Sequence, residues 1–342
     1  MKLNKLSLLA LSIGLFFTSC STDDDDSPVV PRGDYENGIL ISHEGNFGQG
    51  NASVSFVSFD LNTVENNIFN NVNSQLLGDT AQSIAFNGDL AYIILNVSNT
   101  IEIVNRFTFE SVATINTGLS NPRFMAIANG KGYVTNWGDF TPSDDDYLAV
   151  VDLTSNTIIN TISTSYLPEE IIAQGNTIYV ATGVFGNGNT IDVIDATTDT
   201  LVENVSVGNS PNSLQIDDDG DLWVLSSENL IEVNTTTNEV SRTIPLNASI
   251  TAPSNLNFDS GNLYLYASGF VFAMAETDSM LPTTAEIENV NLYDMTVRNG
   301  ILYGLDAKDF QSNGTLTSFD LSTNTEINSA TVDIIPGEVY FN

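Results

Sequence analysis

The chain has 342 residues, of which 43 are acidic and 9 basic, so its formal net charge is −34. Such a charge repels the phosphates of nucleic acids and anionic lipid headgroups, which excludes nucleic acid as a partner. Hydrophobic residues make up 42% of the sequence, which is too many for a disordered acidic chain and enough to build a packed core.

Residues 1–19 have the composition of a bacterial export signal, with Lys2 and Lys5 ahead of an apolar run. The run is too short and wrongly flanked for a transmembrane helix. Cys20 is the single cysteine of the chain, and its position after small residues resembles a bacterial lipobox. We therefore predict a signal peptide over 1–19 and lipidation of Cys20, with an incidental cysteine in an ordinary signal as the alternative.

The next stretch, "STDDDDSPVVPRG", is a run of like charges with proline and glycine, which is typical of a solvated tether. A cysteine followed by serine and an aspartate run also resembles the lipoprotein export signal of Bacteroidetes. This resemblance implies an outer-membrane lipoprotein that faces the cell exterior. Residues 20–37 are therefore predicted to be the lipidated cysteine and its acidic tether.

From residue 38 onward one pattern occurs seven times. A strand ends in an acid or amide and a polar turn rich in Thr and Asn follows, at intervals of 39 to 47 residues. The seven residues that end these strands are Asp60, Asn105, Asp152, Asp195, Asn234, Glu276 and Asp320. A period of this length without helical periodicity predicts propeller blades of four strands each.

Each repeat has an opening strand that often follows proline, a tight Gly turn, and a second strand with an aromatic residue such as Tyr133 or Trp223. The first repeat lacks an opening strand, and the C-terminal "IPGEVYFN" supplies one with no blade after it. Pairing of Val339–Phe341 with Ile39–Ser42 would close the ring and remove both open edges. We predict an all-β fold, a single seven-bladed β-propeller over residues 38–342.

These repeats resemble the YncE-like seven-bladed propellers. The first repeat, "ILISHEGNFGQGNASVSFVSFD", is similar to the segment that opens a group of Bacteroidetes surface lipoprotein propellers, although Ser42-His43 replaces the more usual aliphatic-Asn pair. The group includes lipoproteins (BtuG-type) that capture cobalamin and pass it to a TonB-dependent transporter. The resemblance implies a corrinoid or other small-molecule ligand and such a transporter as partners.

The stretch "HEGNFGQGNAS", residues 43–53, joins the second and third strands of the first blade. No lysine follows its glycines and no helix is predicted after it, so a phosphate-binding loop is excluded. The glycines permit tight turns. Two alternatives remain open: a ligand-binding loop that presents Phe47, or a loop that packs on the seventh blade.

We define the upper face as the face that carries the loops between second and third strands and the loops that lead into each blade's first strand. Several long loops on this face contain aromatic residues, which are costly to expose unless they pack or bind a ligand. The predicted ligand-binding residues are Phe47, Gln49, Arg123, Phe124, Trp137, Phe140, Tyr166, Phe185, Asn187, Tyr293 and Phe310.

Catalytic motifs are scarce. A Ser–His–acid triad would need His43, the only histidine, and no Gly-x-Ser-x-Gly elbow accompanies it. A weaker alternative is a calcium-dependent, lactonase-like hydrolase with acids and amides around the channel mouth; the candidates are Glu44, Glu169, Asn212 and Asn255. The "DDDGDLW" segment, residues 217–223, resembles part of a calcium loop but aligns with the predicted hairpin turns.

We therefore expect a binding protein with no catalytic residue, metal or cofactor. Its predicted function is capture of a bulky small molecule on the upper face, with vitamin B12 as the favoured ligand, for delivery to the transporter. A flat ligand suits a funnel lined by aromatic rings and amide donors. The alternative is an adhesion or scaffold lipoprotein that binds a protein or a glycan through the same face.

Overall fold

Seven four-stranded antiparallel sheets form the blades of a propeller around a central channel. The structure is a computed structural model that describes residues 32–139, 145–186 and 188–342. Cys20, Phe140 and Asn187 from the predictions lie outside the described residues.

The first four blades follow each other along the chain, and in the second to fourth the inner strand comes first. Their strands are β1 (Gly38–His43), β2 (Ser53–Ser58) and β3 (Val64–Glu65); β4 (Ala81–Asn87), β5 (Leu90–Leu95), β6 (Thr100–Asn105) and β7 (Ser111–Ile115); β8 (Pro122–Ala128), β9 (Lys131–Asn136), β10 (Tyr147–Asp152) and β11 (Thr157–Ser163); and β12 (Pro168–Gln174), β13 (Thr177–Thr182), β14 (Thr190–Asp195) and β15 (Thr200–Ser206).

The remaining three blades repeat this order, and one further strand follows them. The strands are β16 (Ser213–Ile216), β17 (Leu222–Leu225), β18 (Asn229–Asn234) and β19 (Glu239–Pro245); β20 (Pro253–Asp259), β21 (Asn262–Ala267), β22 (Phe270–Ala275) and β23 (Ile287–Glu288); β24 (Asp294–Arg298), β25 (Ile301–Asp306), β26 (Asn313–Asp320) and β27 (Thr325–Ile334); and finally β28 (Pro336–Phe341).

The ring closes as predicted, because β28 becomes the inner strand of the first blade. It pairs antiparallel with β1, with Ile39 opposite Phe341 and Ile41 opposite Val339. The side chain of Asn342 extends the closure, because its Nδ2 donates to the carbonyls of Tyr35 and Arg106 at 2.6 and 2.7 Å. Both edges that an open ring would expose are thereby paired.

Apolar residues of neighbouring blades interlock to form the core. The aromatic residue predicted on each second strand lies in these seams: Trp223 packs with residues of the sixth blade, and Tyr133 packs with residues of the fourth. The hydroxyl of Tyr133 donates to the carbonyl of Ala196 at 3.1 Å, so a buried ring also satisfies its polar group on the next blade.

Three local features differ from simple strand repeats. The fourth strand of the first blade, β3, has only two residues, and a short helix α1 (Ile68–Asn73) follows it. A 3-10 turn occupies Val184–Gly186. Residues 32–37, assigned to the tether from the sequence, pack on the propeller, where the buried ring of Tyr35 contacts Phe56 and Phe109 edge-on.

The "DDDGDLW" segment forms a hairpin turn. The carboxylate of Asp217 accepts hydrogen bonds from the backbone N–H groups of Asp219 and Asp221 at 3.0 and 2.9 Å and from Trp223 Nε1 at 2.9 Å. Asp217 is therefore hydrogen-bonded within its own turn, as the hairpin alternative predicts. Among the described residues, no helix has the length and apolar character to cross a membrane.

Candidate functional site: the mouth of the central channel

The loop over residues 44–52, here called the opening loop, is held on two sides. The carboxylate of Asp79 accepts the N–H groups of Gly48 and Gly50 at 3.3 and 2.9 Å, which ties the loop to the start of the second blade. On the other side, Asn46 Nδ2 donates to the carbonyl of Phe310 in the seventh blade at 3.0 Å. The loop therefore packs on its neighbours through its backbone and short polar side chains.

The aromatic residue at the tip of the opening loop takes no part in this packing. Phe47 is 77% exposed, whereas the loop below it is hydrogen-bonded on both sides. Gly45 explains how the turn stays so tight: its φ is +68°, and a Cβ there would lie 2.6 Å from Asn51 Oδ1. The two alternatives from the sequence are thus compatible, because the loop packs on blade seven and still presents Phe47.

Phe47 shares a surface groove with the seventh blade. The groove has a volume of about 570 Å³ and is lined by Asn46, Phe47, Gln49, Phe310, Gln311 and Ile335. The ring of Tyr293 meets that of Phe310 edge-on, with 5.5 Å between centroids. The structure therefore brings four predicted residues together on one side of the upper face, namely Phe47, Gln49, Tyr293 and Phe310.

A second aromatic group lies across the mouth, on blades three and four. Phe185 is 73% exposed, and its ring contacts Trp137 edge-on at 5.8 Å. Trp137 is only 3% exposed, and its Nε1 donates to the carbonyl of Pro168 at 3.0 Å. Trp137 thus supports the rim from below, while Phe185 forms part of the exposed surface.

Arg123 lies between Trp137 and the channel. Its guanidinium stacks on the indole at 4.0 Å and forms a bidentate pair with Glu169, with Nε–Oε2 and Nη2–Oε1 distances of 3.0 and 2.7 Å. Nη1 also donates to the side-chain oxygen of Gln82. Burial opposes the charge of this guanidinium, but Glu169 more than offsets the effect and raises the pKa of Arg123.

Glu44 completes the mouth, which we define as Glu44, Gln82, Arg123, Glu169 and Tyr293. Glu44 Oε1 accepts a hydrogen bond from the Tyr293 hydroxyl at 2.8 Å. Burial raises the pKa of Glu44, and the nearby Arg123 works in the opposite direction. The mouth therefore contains two hydrogen-bonded sets, Glu44 with Tyr293 and Arg123 with Glu169 and Gln82, between the two aromatic groups.

Below the mouth, a cavity of about 300 Å³ contains three carboxyl groups, those of Glu170, Asp294 and Glu338. Burial raises the pKa of Glu170 to about 8 and that of Asp294 to about 7. Burial, followed by the charge of Asp294, raises the pKa of Glu338 well above its ordinary value. The half-buried ring of Phe124 lines the wall of the same cavity.

Two of these acids, Glu170 and Glu338, lie beside β-bulges of their inner strands. In five of the seven inner strands, β4, β8, β12, β20 and β28, the pairing with the second strand shifts register close to the strand's first residues. A bulge leaves consecutive residues outside regular alternation and re-aims their side chains. Glu169 therefore joins the mouth while the adjacent Glu170 lines the cavity.

Sequence reasoning singled out Glu44 and Glu169 only for the calcium alternative and missed Glu170, Asp294 and Glu338. The available signal was the pair of polar residues that begins several inner strands, as in "LPEEIIAQ" and "IPGEVYFN". Tyr166, predicted for the ligand surface, is half-buried in the loop that leads into the fourth blade.

The residues proposed for calcium have other partners. Glu169 is paired with Arg123, and Asn255 Nδ2 donates to Asp294 Oδ1 at 2.5 Å. Asn212 Nδ2 donates to the carbonyl of Pro253 at 3.0 Å. Over the described ranges, no group of three or more His, Cys, Asp or Glu side chains has an arrangement that could hold a metal ion.

His43 forms a contact that resembles part of a catalytic triad. Its Nε2 lies 2.8 Å from Ser55 Oγ, and the charge of Asp333 acts on the imidazole. However, His43 and Ser55 have no exposed surface. Burial lowers the pKa of His43 to about 4, which keeps the ring neutral at physiological pH. A nucleophile at this position would have no access to a substrate, so the contact links two strands of the first blade.

A family model described as "Domain of unknown function (DUF5074)" matches residues 37–334. No curated protein sequence matches the chain. The fold is similar to that of a "Quinonprotein alcohol dehydrogenase-like protein" from Bacteroides thetaiotaomicron VPI-5482, with a TM-score of 0.70, 12% identity, and coverage of 90% of this chain and 78% of that chain.

Two further solved structures are similar. The designed protein Ika8 has a TM-score of 0.59 at 8% identity, with 87% of this chain and 88% of that chain covered. Hydrazine synthase from Kuenenia stuttgartiensis has a TM-score of 0.50 at 18% identity, with 69% of this chain and 74% of that chain covered. At these identities the likenesses show the propeller fold alone.

Proposed function

Since the chain belongs to the family described as a domain of unknown function (DUF5074), its role must be inferred from its own site, and we propose that it is a non-catalytic binding protein. The proposed site is the upper face, where a flat, bulky small molecule would lie across the channel mouth. A corrinoid such as vitamin B12 is the proposed ligand, and a TonB-dependent transporter is the proposed recipient.

The observation that carries this proposal is the exposure of Phe47 on a loop that is hydrogen-bonded on one side through the Gly50 N–H and on the other through the Asn46 side chain. Exposure of a large apolar ring to water costs free energy, and an ordered loop cannot rearrange to bury the ring. Because the loop is already ordered, a ligand that covers the ring gains apolar contact without a large cost of ordering the loop.

The dimensions and chemistry of the site support a ligand of this class. The groove of about 570 Å³ beside Phe47 lies within the range of small-molecule sites. Exposed rings stand on both sides of the mouth, with Phe47 and Phe310 on one side and Phe185 on the other. A flat ligand that spans the mouth would contact both aromatic groups and the polar groups between them.

Isothermal titration of the purified protein with cyanocobalamin tests the proposal. We expect one-to-one binding, and the substitution Phe47→Ala should weaken it by about 2 kcal/mol, roughly 30-fold. The matched control is Phe59→Ala, because Phe59 is also an exposed phenylalanine but follows β2 at the opposite end of the blade. A flat titration at micromolar protein would contradict the corrinoid assignment and favour a glycan or protein partner.

The proposed anchoring has a separate test. Lipidation of Cys20 would place the propeller on the outer membrane, facing the exterior, where it can pass its ligand to the transporter. We expect protease added to intact cells to degrade the protein and Cys20→Ser to release it from the membrane fraction. Retention of the variant in the membrane together with protection of the wild-type protein would contradict this localisation.

A further inference from the structure

The charge of the upper face is set by few groups. Seven described residues are basic, and five of them lie away from the mouth: Arg32 before the first strand, Arg106 and Lys131 at lower turns, Arg242 in the outer strand β19, and Arg298 at the lower end of the inner strand β24. The other two are Arg123 and Lys308. Lys308 Nζ lies 2.8 Å from Asp306 Oδ2, so its charge is balanced within its own loop.

Arg123 is also balanced. Both oxygens of Glu169 accept hydrogen bonds from its guanidinium, one face of the group is covered by Trp137, and only 14% of the side chain is exposed. A ligand anion would have to displace Glu169 from a bidentate pair, which is one of the stronger polar contacts in proteins. Arg123 therefore holds the mouth together and is a poor docking point for an anion.

Apart from Arg123, the titratable groups of the mouth and cavity are carboxyl groups and the Tyr293 hydroxyl. Glu44 adds a second carboxyl group beside Glu169, and the cavity below has Glu170, Asp294 and Glu338 in its wall but no basic residue. Because Arg123 is paired with Glu169, the described residues of the mouth leave no charged donor for a ligand anion.

From these contacts we infer that the upper-face site selects a neutral or cationic planar ligand with hydrogen-bond donors and rejects anions. This inference rests on the proposed function, because it concerns the ligand class of the same site. A carboxylate on the ligand would lie near two protein carboxylates whose only cationic partner is already used. A donor group such as an amide or amine would find an acceptor in the carboxyl group of Glu44, which is only partly buried.

Two planar three-ring probes of opposite charge test the inference on the purified protein: the cation proflavine and the anion anthracene-2-carboxylate. Fluorescence anisotropy at 150 mM salt should show that the wild-type protein binds the anion at least 10-fold more weakly than the cation. Phe47→Ala with Phe310→Ala should abolish the binding of proflavine, which assigns that binding to the upper face. Equal affinity for both probes at that face would overturn the inference.

A gain of binding provides the second arm. The double substitution Glu44→Gln with Glu169→Gln frees Arg123, and we expect it to bind anthracene-2-carboxylate at least 10-fold more tightly. The matched control, Asp218→Asn with Asp219→Asn, changes the net charge by the same amount at an exposed lower turn. If the double variant is unfolded by circular dichroism, Glu44→Gln alone replaces it, because the Arg123–Glu169 pair then remains.

The second arm decides the inference even if the wild-type protein binds neither probe. A gain in the mouth variant that exceeds the gain in the control supports it, and equal behaviour of the two variants overturns it. The cyanocobalamin titration tests a different claim. A flat titration contradicts the corrinoid assignment, but the two probes still measure whether the site selects ligands by charge.

Discussion

Phe185 and Phe310 combine exposure with an unusual backbone. Their φ angles are 63° and 59°, in the left-handed region, which costs a residue with a Cβ about 1 kcal/mol. Glycine or asparagine would occupy these positions more favourably. Both residues bear this cost although 73% of Phe185 and 47% of Phe310 remain exposed, and strained positions are concentrated at functional sites. This agrees with a role for both rings in ligand contact.

The first prediction concerns Phe310→Asn. Asparagine tolerates the left-handed conformation, so the free energy of unfolding should stay within about 1 kcal/mol of the wild type or rise. Binding of cyanocobalamin should weaken by about 10-fold because the ring that faces Phe47 across the groove is lost. Calorimetric unfolding and titration measure the two quantities. A variant that is strongly destabilised yet binds normally would show that Phe310 is a packing residue.

At the scale of elements, the opening loop is ordered by hydrogen bonds to residues of the second and seventh blades. Asp79 lies directly before the second blade and is 8% exposed. Its carboxylate accepts hydrogen bonds from two glycine N–H groups of the loop and from the hydroxyl of Thr80. Without this acceptor the loop would keep the hydrogen bond from the Ala52 N–H to the carbonyl of Gly78 and the link to Phe310 on the other side, but the backbone around Phe47 would lose its bonds to Asp79. The order of the loop is therefore a property of the closed ring.

Asp79→Ala should loosen the opening loop without opening the propeller. Loss of the acceptor leaves the amides of Gly48 and Gly50 unbonded, so their hydrogen exchange should accelerate at least 10-fold. Ligand binding should weaken as well, because the loop would have to be ordered on binding. Exchange in β5 should remain unchanged, and uniform acceleration across all blades would indicate global destabilisation instead.

Ring closure offers a second prediction at this scale. Asn342 donates to two backbone carbonyls and accepts from Arg106 Nε, so Asn342→Ala leaves several buried groups unpaired. Each such group costs about 1 to 3 kcal/mol. We expect urea unfolding at lower concentration and early loss of the β1–β28 pairing. The matched substitution Asn116→Ala removes an asparagine from an exposed loop position without a left-handed φ and should leave the midpoint nearly unchanged.

For the whole molecule, the central channel collects acids from inner strands that are far apart in the chain. Glu170, Asp294 and Glu338 belong to blades four, seven and one, and only the closed ring brings them into one cavity. Their raised pKa values follow from burial first. The folded protein thus holds protons that the unfolded chain would release near neutral pH.

This arrangement predicts that stability depends on pH. The pKa of Glu170 is about 8 in the folded state because of burial and 4.5 ordinarily, so between these values the folded state binds more protons and the free energy of unfolding falls as pH rises. Asp294, whose pKa burial raises from 3.8 to about 7, acts in the same direction. His43 acts oppositely between pH 4 and 6.5, because burial lowers its pKa to about 4 and the unfolded state binds the extra proton.

Glu170→Gln isolates the carboxyl contribution. Glutamine can still accept the N–H of Leu214 (2.8 Å from Glu170 Oε2) but carries no charge. Relative to the wild type, the variant should gain stability from pH 5 to pH 9, by on the order of 1 to 3 kcal/mol. Urea unfolding at pH 5, 7 and 9 measures this gain, with the exposed Glu239→Gln as the matched control. A difference that is constant over this range would contradict protonation of Glu170 at neutral pH.

Local patterns in the sequence were sufficient to predict the seven-bladed architecture. Alternating strands, turns such as Asn129-Gly130 with positive φ at both residues, and a repeat of about 44 residues predict seven blades because each of these signals depends on near neighbours. The unpaired ends of the chain also predict closure, since one blade lacks an inner strand and the C-terminus supplies one. The same pattern placed the opening loop on the upper face.

The tertiary structure decided which side chains form the site. Sequence could not separate the buried Trp137 from the exposed Phe47, because exposure depends on contacts with residues of other blades. Nor could it place Glu169 in the mouth and Glu170 in the cavity, because a β-bulge breaks the alternation on which such an assignment relies. The local periodicity of the sequence determines the blades, whereas the channel exists only after seven blades close around it.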